Sequence, residues 1–298
     1  MPLWIPITLT AALFQTWRTA LQQRLRGRFS VGTAGLVRYV YAVPVGAALL
    51  MAYAAFTHAA VPGVTTRFLL GCLLCAVAQI MGTSLLIMAF GYRNFAVGTA
   101  YSKTDAMQAA LVAWLVLGET LAPGAWAGIG LGLFGVLTLS LAGQAPGTLL
   151  RATVQPAALC GLGAGAGFAM AGVGIKIATA GFGTDPILAA LCALVTTNIL
   201  QTLLQGGFMA WREPAGLRAA FTGWRAAMWV GVLSACGSAC WFSGFALAPV
   251  ALVRTVGQTE MVFTLLFSRF YLRETLRRAD VLGLALIVGG VVLVLLFH

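Results

Sequence analysis

The sequence predicts an all-α integral membrane protein in which ten transmembrane helices form two inverted five-helix repeats. Three observations predict this class: the composition, the spacing of the apolar runs and an internal repeat. Of the 298 residues, 60% are apolar and only 8% are charged, and the mean hydropathy is +0.95. A soluble domain carries roughly 25% charged residues, and a disordered chain is poor in apolar residues. The composition excludes both classes.

Apolar runs separated by short polar, glycine or proline breaks define the predicted helices. A hydrocarbon core takes about 20 apolar residues per helix, so a chain of this length has room for about ten spans and for no sizeable aqueous domain. The longest polar gap, 143–155, is the predicted loop between a first five-helix domain, 1–142, and a second, 156–298. The ten predicted helices are 3–22, 33–56, 67–91, 95–117, 122–142, 155–180, 186–209, 224–247, 249–271 and 280–297.

The two halves repeat each other when the chain is shifted by 155 positions. Gly118-Glu119-Thr120-Leu121 then falls on Arg273-Glu274-Thr275-Leu276. Under the same shift Asp105 falls on Glu260. Because the chain has only seven acidic residues, two matches of acid on acid are not expected from composition alone.

The loop charges indicate that the second repeat is inverted. A repeat with an odd number of spans enters the membrane from the opposite side in its second copy. The loops after predicted helices 1, 3, 5, 7 and 9 hold twelve basic residues, whereas the other loops and both termini hold only Arg67. Cytoplasmic loops are rich in Lys and Arg, so we expect basic loops in the cytoplasm and termini in the periplasm. The net charge of +11 is then explained by the basic loops on the cytoplasmic side, and it does not indicate a nucleic-acid partner.

Inverted repeats are typical of transporters, whose binding sites lie near the bilayer midplane at the repeat interface. The Gly-Glu-Thr-Leu turn at 118–121, its counterpart at 273–276 and the Phe-Ala-Leu-Ala-Pro-Val segment at 245–250 resemble the drug/metabolite transporter superfamily, specifically its EamA-type ten-helix members. The resemblance implies ten helices in two inverted halves, a central cavity and export of amino acids or other small metabolites across a bacterial inner membrane. It also implies cytoplasmic termini, and on this point we follow the loop charges instead.

Two acidic residues deep inside predicted helices are the leading site candidates. A charged side chain costs about 2.5–3.5 kcal/mol at a helix centre. Asp105 and Glu260 lie roughly 15 Å deep by helical rise, too far for a short carboxylate to reach water. One interpretation pairs them with Lys103 and Arg254 as structural ion pairs. The other places them on the substrate route, where one of them exchanges a proton as the cavity alternates between the two sides.

The remaining candidates are one further cation and three aromatic residues. Arg18 lies near the end of helix 1, where its long stem can reach the interface, or it contributes charge to the cavity. With Arg18 the cavity carries more positive than negative charge, which suits a zwitterion or an organic anion. Trp17, Tyr101 and Trp241 lie at depths where their rings can stack on a substrate, although most aromatic residues of membrane helices face lipid or form interfacial belts.

The sequence therefore predicts a secondary transporter that exports a small polar metabolite, such as an amino acid or organic anion, by alternating access. Protons are the candidate coupling ion, no cofactor or metal is expected, and the chain acts as a monomer or a homodimer in the lipid bilayer. A channel or a structural assembly protein is the alternative, since buried ion pairs serve either one. An enzyme is disfavoured, because HExxH and GxSxG motifs are missing and the histidines are His58, in a predicted loop, and His298.

Overall fold

A computed structural model of the chain describes residues 2–24, 29–91, 101–141, 156–271 and 278–297. These residues form thirteen helices and no strand, which confirms the predicted all-helical class. The helices are α1 (Trp4–Arg24), α2 (Val31–Val40), α3 (Ala42–Thr57), α4 (Thr66–Gly91), α5 (Asp105–Leu117), α6 (Pro123–Leu141), α7 (Pro156–Thr179), α8 (Pro186–Arg212), α9 (Pro214–Thr222), α10 (Trp224–Leu247), α11 (Val250–Gly257), α12 (Thr259–Tyr271) and α13 (Arg278–Leu296).

Several of these helices have the length and composition of membrane spans. Within the described residues, five segments qualify, and the segments α5, α6 and α13 are apolar but shorter. The chain is therefore a multi-pass membrane protein, as predicted. The total of ten spans and the orientation of the loops stay predictions. The five qualifying segments are Val31–Thr57, Thr66–Ala89, Pro156–Thr179, Pro186–Arg212 and Ala227–Leu247.

The structure divides some helices that the sequence predicts to be continuous. The predicted helix 33–56 is interrupted at Tyr41, between α2 and α3. The predicted helix 249–271 is interrupted at Gln258, between α11 and α12. The described part of the predicted helix 95–117 contains a turn at Lys103 and Thr104, before α5. Hydropathy averaged over a whole span does not record such breaks, because most residues of each span are apolar.

The predicted loop between 212 and 225 instead contains the short helix α9. Pro214 occupies its first turn, where its fixed φ and missing N–H suit a helix start. Gly216 and Ala220, one turn apart, are buried. Thr33 Oγ1 donates to the Gly216 carbonyl at 3.1 Å, and Tyr41 Oη donates to the Ala220 carbonyl at 2.9 Å. These contacts fasten α9 to the segment that contains α2.

The described residues fall into two compact units, Met1–Ile80 with Met170–Ala248 (unit 1) and Met81–Ala169 with Pro249–His298 (unit 2). Each unit takes segments from both predicted domains, 1–142 and 156–298. The compact units therefore do not follow the boundary predicted at 143–155, which lies outside the described residues. The division into two sequence repeats stays a prediction.

Unit 1 packs α1 on α10, and α10 on α8, α2 and α3. The start of α8 is capped by Asp185, whose carboxylate accepts from the backbone N–H groups of Ile187 and Leu188 at 2.8 and 3.2 Å. The same carboxylate accepts a hydrogen bond from Tyr53 Oη at 2.9 Å. An Asp cap of this kind satisfies backbone donors that a helix start leaves unpaired, so the position where α8 begins is well determined.

Unit 2 is built around the close packing of α6 on α13. A Cβ atom placed on Gly128 would lie 2.7 Å from the carbonyl oxygen of Gly290. A Cβ atom placed on Gly135 would lie 2.7 Å from the carbonyl oxygen of Gly283. Gly135 follows Gly128 along α6, but its partner Gly283 precedes Gly290 along α13. The two helices are therefore antiparallel. Small residues at such an interface let helix backbones approach closely.

Candidate functional site

The candidate site lies in unit 2, where two helix breaks occur at equivalent positions of the predicted sequence repeat. Helix α5 begins at Asp105, directly after the turn at Lys103 and Thr104. Helix α12 begins at Thr259, directly after the turn at Gln258. Positions 103 and 258 are separated by 155 residues, the shift at which the sequence repeats. Many transporters bind substrates and ions at points where a membrane-spanning helix is interrupted.

The two breaks have the same local hydrogen bonding. Thr104 Oγ1 donates to the Tyr101 carbonyl at 2.6 Å, and Thr259 Oγ1 donates to the Val256 carbonyl at 2.8 Å. In both cases the acceptor is three residues earlier in the chain. A threonine hydroxyl that binds a nearby carbonyl offers the backbone an alternative to regular helical bonding. This explains why an apolar run is interrupted at these two positions.

Each break places a carboxylate in the first turn of the helix that follows it. Asp105 lies in the first turn of α5, and Glu260 lies in the first turn of α12. The N-terminal end of a helix carries a partial positive charge from its unpaired N–H groups, so a carboxylate is stabilised there. The sequence repeat and the local structure therefore agree on where the two acids lie.

Two ion pairs connect the breaks crosswise. Lys103 Nζ lies 2.8 Å from Glu260 Oε2, and Arg254 Nη1 lies 3.1 Å from Asp105 Oδ2. The side chains are between 10% and 19% exposed, so all four charges are largely withdrawn from the surface. Two cations thus face two carboxylates, and their formal charges cancel. We call these four side chains the charge cluster.

Arg254 also binds a third helix. Its Nη2 atom donates to the Phe168 carbonyl on α7 at 2.6 Å. The planar guanidinium, with several donors in a fixed geometry, can hold a carboxylate and a carbonyl together. Arg254 thereby joins α5, α7 and its own helix α11 at one point.

Helix α7 approaches the first break through a glycine. A Cβ atom on Gly165 would lie 2.9 Å from Gln108 Nε2 and 3.1 Å from the Ser102 carbonyl oxygen. Gln108 Nε2 donates to Thr104 Oγ1 at 2.6 Å. A Cβ atom at position 165 would move the end of Gln108 and press on the Ser102 carbonyl, so a small residue fits best beside the break.

Gln258 is a site residue that sequence reasoning missed. Its side chain is only 4% exposed, and neither its amide nitrogen nor its amide oxygen has a hydrogen-bond partner within the described part of the chain. The amide oxygen is directed at Gly132 of α6, where any Cβ atom would collide with it. The predicted repeat could have indicated Gln258, because a shift of 155 places position 103, occupied by Lys103, on position 258. An amide in this place can donate to and accept from a bound molecule.

The structure also explains the Gly-Glu pair of the turn at 118–121. Gly118 ends α5 in the left-handed conformation, with φ of 67°, which favours glycine. Glu119 Oε2 accepts a hydrogen bond at 3.1 Å from the backbone N–H of Val250, at the start of α11. Because α11 carries Arg254 in its last turn, Glu119 helps to position the charge cluster. Its repeat counterpart, Glu274, lies outside the described residues.

Replacing Glu119 by alanine is expected to lower the free energy of unfolding by about 0.5–2 kcal/mol, because a capping acceptor is lost. Glu119→Gln keeps an acceptor oxygen and should be destabilised less. Thermal unfolding of the two variants in the same detergent measures the difference. Equal melting temperatures for wild type and Glu119→Ala would show that the contact with Val250 contributes nothing.

Three of the other predicted site residues, Trp17, Arg18 and Trp241, lie in unit 1. Trp241 Nε1 donates to Gln15 Oε1 at 3.1 Å, and its ring stacks on Phe245. Arg18 is buried, whereas Trp17 is 64% exposed. Four of the eight predicted residues are thus joined as ion pairs, and Tyr101 supplies a backbone carbonyl to the first break. The roles of Arg18, Trp17 and Trp241 in substrate binding stay predictions.

Unit 1 contains a further set of polar side chains, which are amides that bond between helices. Gln201 Nε2 on α8 donates to Gln79 Oε1 on α4 at 2.7 Å. Asn198, one turn earlier on α8, is also buried. Hydrogen bonds of this kind join helices within membranes, and the signal in the sequence was a set of amide side chains inside an apolar run.

No group of three or more His, Cys, Asp or Glu side chains in the described segments is arranged to hold a metal ion. In the charge cluster both carboxylates already contact a cationic side chain. The chemistry available at the cluster is therefore binding and exchange of charged groups.

Comparison with known proteins gives a family and a fold. Residues 155–296 match the family described as the EamA-like transporter family. One solved structure, described only as "Crystal structure of protein", matches with a TM-score of 0.70 and 18% sequence identity over 99% of this chain and 98% of that chain. At this identity the likeness shows the fold alone. No curated protein matches the chain.

Proposed function

We propose that this chain is a secondary transporter with the charge cluster as its site, because residues 155–296 match the EamA-like transporter family, which its sequence motifs resemble. We propose that it exports a small zwitterionic or anionic metabolite, such as an amino acid or an organic anion, by alternating access. The single observation that carries this proposal is the crosswise pairing of Lys103 with Glu260 and of Arg254 with Asp105 at two equivalent helix breaks.

The proposal includes the arrangement of ten spans as two inverted repeats. The antiparallel packing of α6 on α13 supports it, because residues 123–141 become residues 278–296 under the shift of 155. Gly128 is equivalent to Gly283, and Gly135 to Gly290, yet Gly128 contacts Gly290 and Gly135 contacts Gly283. Such a reciprocal exchange is what a two-fold axis lying in the membrane plane produces.

The balance of charge in the cluster suggests how a substrate is taken up. Removing one partner of a buried ion pair leaves an uncompensated charge and costs about 3–5 kcal/mol. A substrate must therefore replace every contact that it breaks. A zwitterion can do so, because its carboxylate binds Lys103 or Arg254 while its ammonium binds the released acid.

The same balance gives protons a role when the substrate is an anion. An organic anion that binds Lys103 or Arg254 adds one negative charge to a cluster that is formally neutral. Protonation of Asp105 or Glu260 removes that charge. We therefore propose that an anionic substrate crosses together with a proton, whereas a zwitterion crosses with the cluster's charge unchanged.

The proposed location is a bacterial inner membrane, with the basic loops in the cytoplasm and the termini in the periplasm. The twelve basic residues on one set of loops support this orientation. Labelling of single cysteines introduced at positions 26 and 277 tests it, because the sequence predicts both positions to lie in basic loops. Labelling of the two from opposite sides of the membrane would contradict it.

Replacing Asp105 by asparagine or Glu260 by glutamine is expected to abolish transport while the protein still inserts, because neither amide can exchange charge with a substrate or a proton. A thermal-shift screen of the purified protein against amino acids, organic acids and amines selects the substrate. Counterflow in proteoliposomes, in which substrate on the far side accelerates uptake, then measures transport by the wild type and both variants.

Asp185→Asn is the matched control for this experiment. It makes the same chemical change in unit 1, at a helix cap that asparagine also serves well, and it should transport as the wild type does. Unchanged counterflow in both Asp105→Asn and Glu260→Gln would make the cluster purely structural. Flux without acceleration by substrate on the far side would identify a channel, and stable protein without any flux would favour an assembly role.

A further inference from the structure

Helix α9 and the adjoining ends of α8 and α10 present a surface that the transport proposal does not use. One face of α9 is fastened inward, since Gly216 and Ala220 are buried and their carbonyls accept hydrogen bonds from Thr33 and Tyr41. The opposite face is open. We call this outer face the arginine surface. It consists of Trp211, Arg212, Arg218, Phe221, Trp224 and Arg225, all of which are exposed.

The charge on the arginine surface has one sign. Three arginines lie within the 14 residues from Arg212 to Arg225, together with a single acidic residue, Glu213. The Glu213 carboxylate is directed inward, because Cβ atoms placed on Gly32 and Gly216 would lie 3.1 and 2.6 Å from its two oxygens. Its charge is thus withdrawn from the outer face, where the arginines remain.

The aromatic residues of the surface are arranged around those arginines. The Arg212 guanidinium lies 4.8 Å from the centre of the Trp211 ring, and the Arg225 guanidinium lies 5.5 Å from the centre of the Trp224 ring. Trp211 is 76% exposed, so apart from Arg212 most of its ring is open among the described residues. Tryptophan is enriched at the level of the lipid headgroups, where one part of the ring is apolar and the other is wet.

We infer that the arginine surface binds the headgroup of an anionic phospholipid. The arginines supply the charge that a lipid phosphate and a net negative headgroup require, and Arg geometry suits phosphate oxygens. The Trp211 and Trp224 rings lie beside two of the arginines, and together with the exposed Phe221 ring they can contact glycerol and the upper acyl chain. Basic, aromatic-containing amphipathic helices lie in the membrane interface in this way. The inference concerns unit 1 alone and holds whether or not the charge cluster transports a substrate.

Native mass spectrometry of the purified full-length protein with added lipid tests this inference. Phosphatidylglycerol, phosphatidylcholine and free inorganic phosphate are the three probes. We expect phosphatidylglycerol to be retained and to raise the melting temperature, with phosphatidylcholine and phosphate less effective. The triple variant Arg212→Gln, Arg218→Gln, Arg225→Gln should lose about 100-fold in apparent affinity for phosphatidylglycerol, at about 1 kcal/mol per cation near an anionic surface.

Two control variants separate binding from folding and from general charge. The triple variant with lysine at the same three positions keeps the charge and should retain most of the binding. Arg67→Gln removes an exposed arginine outside the surface and should bind as the wild type does. Equal retention of the two phospholipids, protection by phosphate equal to that by phosphatidylglycerol, or undiminished binding by the glutamine variant would each overturn the inference.

Discussion

Replacing Arg254 by methionine is expected to lower the free energy of unfolding by about 3–5 kcal/mol and to abolish transport. The variant leaves the Asp105 carboxylate buried without its 3.1 Å partner. It also deprives the Phe168 carbonyl of a donor at 2.6 Å. Both losses lie where water does not readily replace the missing contacts. Thermal unfolding in detergent and counterflow in proteoliposomes measure the two effects separately.

The double variant Arg254→Met, Asp105→Leu is the decisive control for this prediction. Replacing both members of a buried ion pair by apolar residues is often neutral or stabilising, whereas removing one is not. We expect the double variant to recover most of the stability and none of the transport. Recovery of transport would show that the pair only holds helices together, and wild-type stability of Arg254→Met alone would show that the pair is not buried as described.

Replacing Gly128 by alanine is expected to destabilise the protein by about 1–3 kcal/mol, the range found for overpacked sites. The new Cβ atom would lie 2.7 Å from the Gly290 carbonyl oxygen and 2.8 Å from the Val294 side chain. Because part of this obstacle is backbone, α6 and α13 must move apart. Leucine at the same position should have a larger effect, since more atoms must be accommodated between the two helices.

Gly130→Ala, on the same helix, is the matched control. Nothing lies within 4 Å of a Cβ atom at position 130, and alanine is favoured over glycine in a helix by up to about 1 kcal/mol. Gly130→Ala should therefore be neutral or stabilising. Melting temperatures of the two variants in one detergent decide the matter, and a Gly128→Ala variant as stable as Gly130→Ala would refute the close packing of α6 on α13.

The charge cluster shows how far sequence reasoning reaches. Depth along an apolar run singled out Asp105 and Glu260, and the structural interpretation paired them with Lys103 and Arg254. It did not say which cation pairs with which acid. Lys103 is two residues from Asp105, yet it lies in the turn before α5 and pairs with Glu260 on α12.

The features that sequence reasoning missed share a cause. The breaks at Lys103 and Gln258 lie in segments predicted to be continuous helices, and α9 lies in a segment predicted to be a loop. Each depends on hydrogen bonds from single side chains: the Thr104 and Thr259 hydroxyls at the breaks, and the Thr33 hydroxyl beneath α9. Averages of hydropathy over a span cannot record such contacts.

The amino-acid sequence by itself determined the class of this protein, because a bilayer admits long helices only where about 20 apolar residues follow one another. It also predicted which charged residues lie deep in those helices, and it contained the motifs that indicated the family. Only the tertiary structure decided the partners of those charges, the cap that Glu119 provides and the exposed face of α9. These depend on the rotation of each helix about its axis and on distances of a few ångströms between segments far apart in the chain.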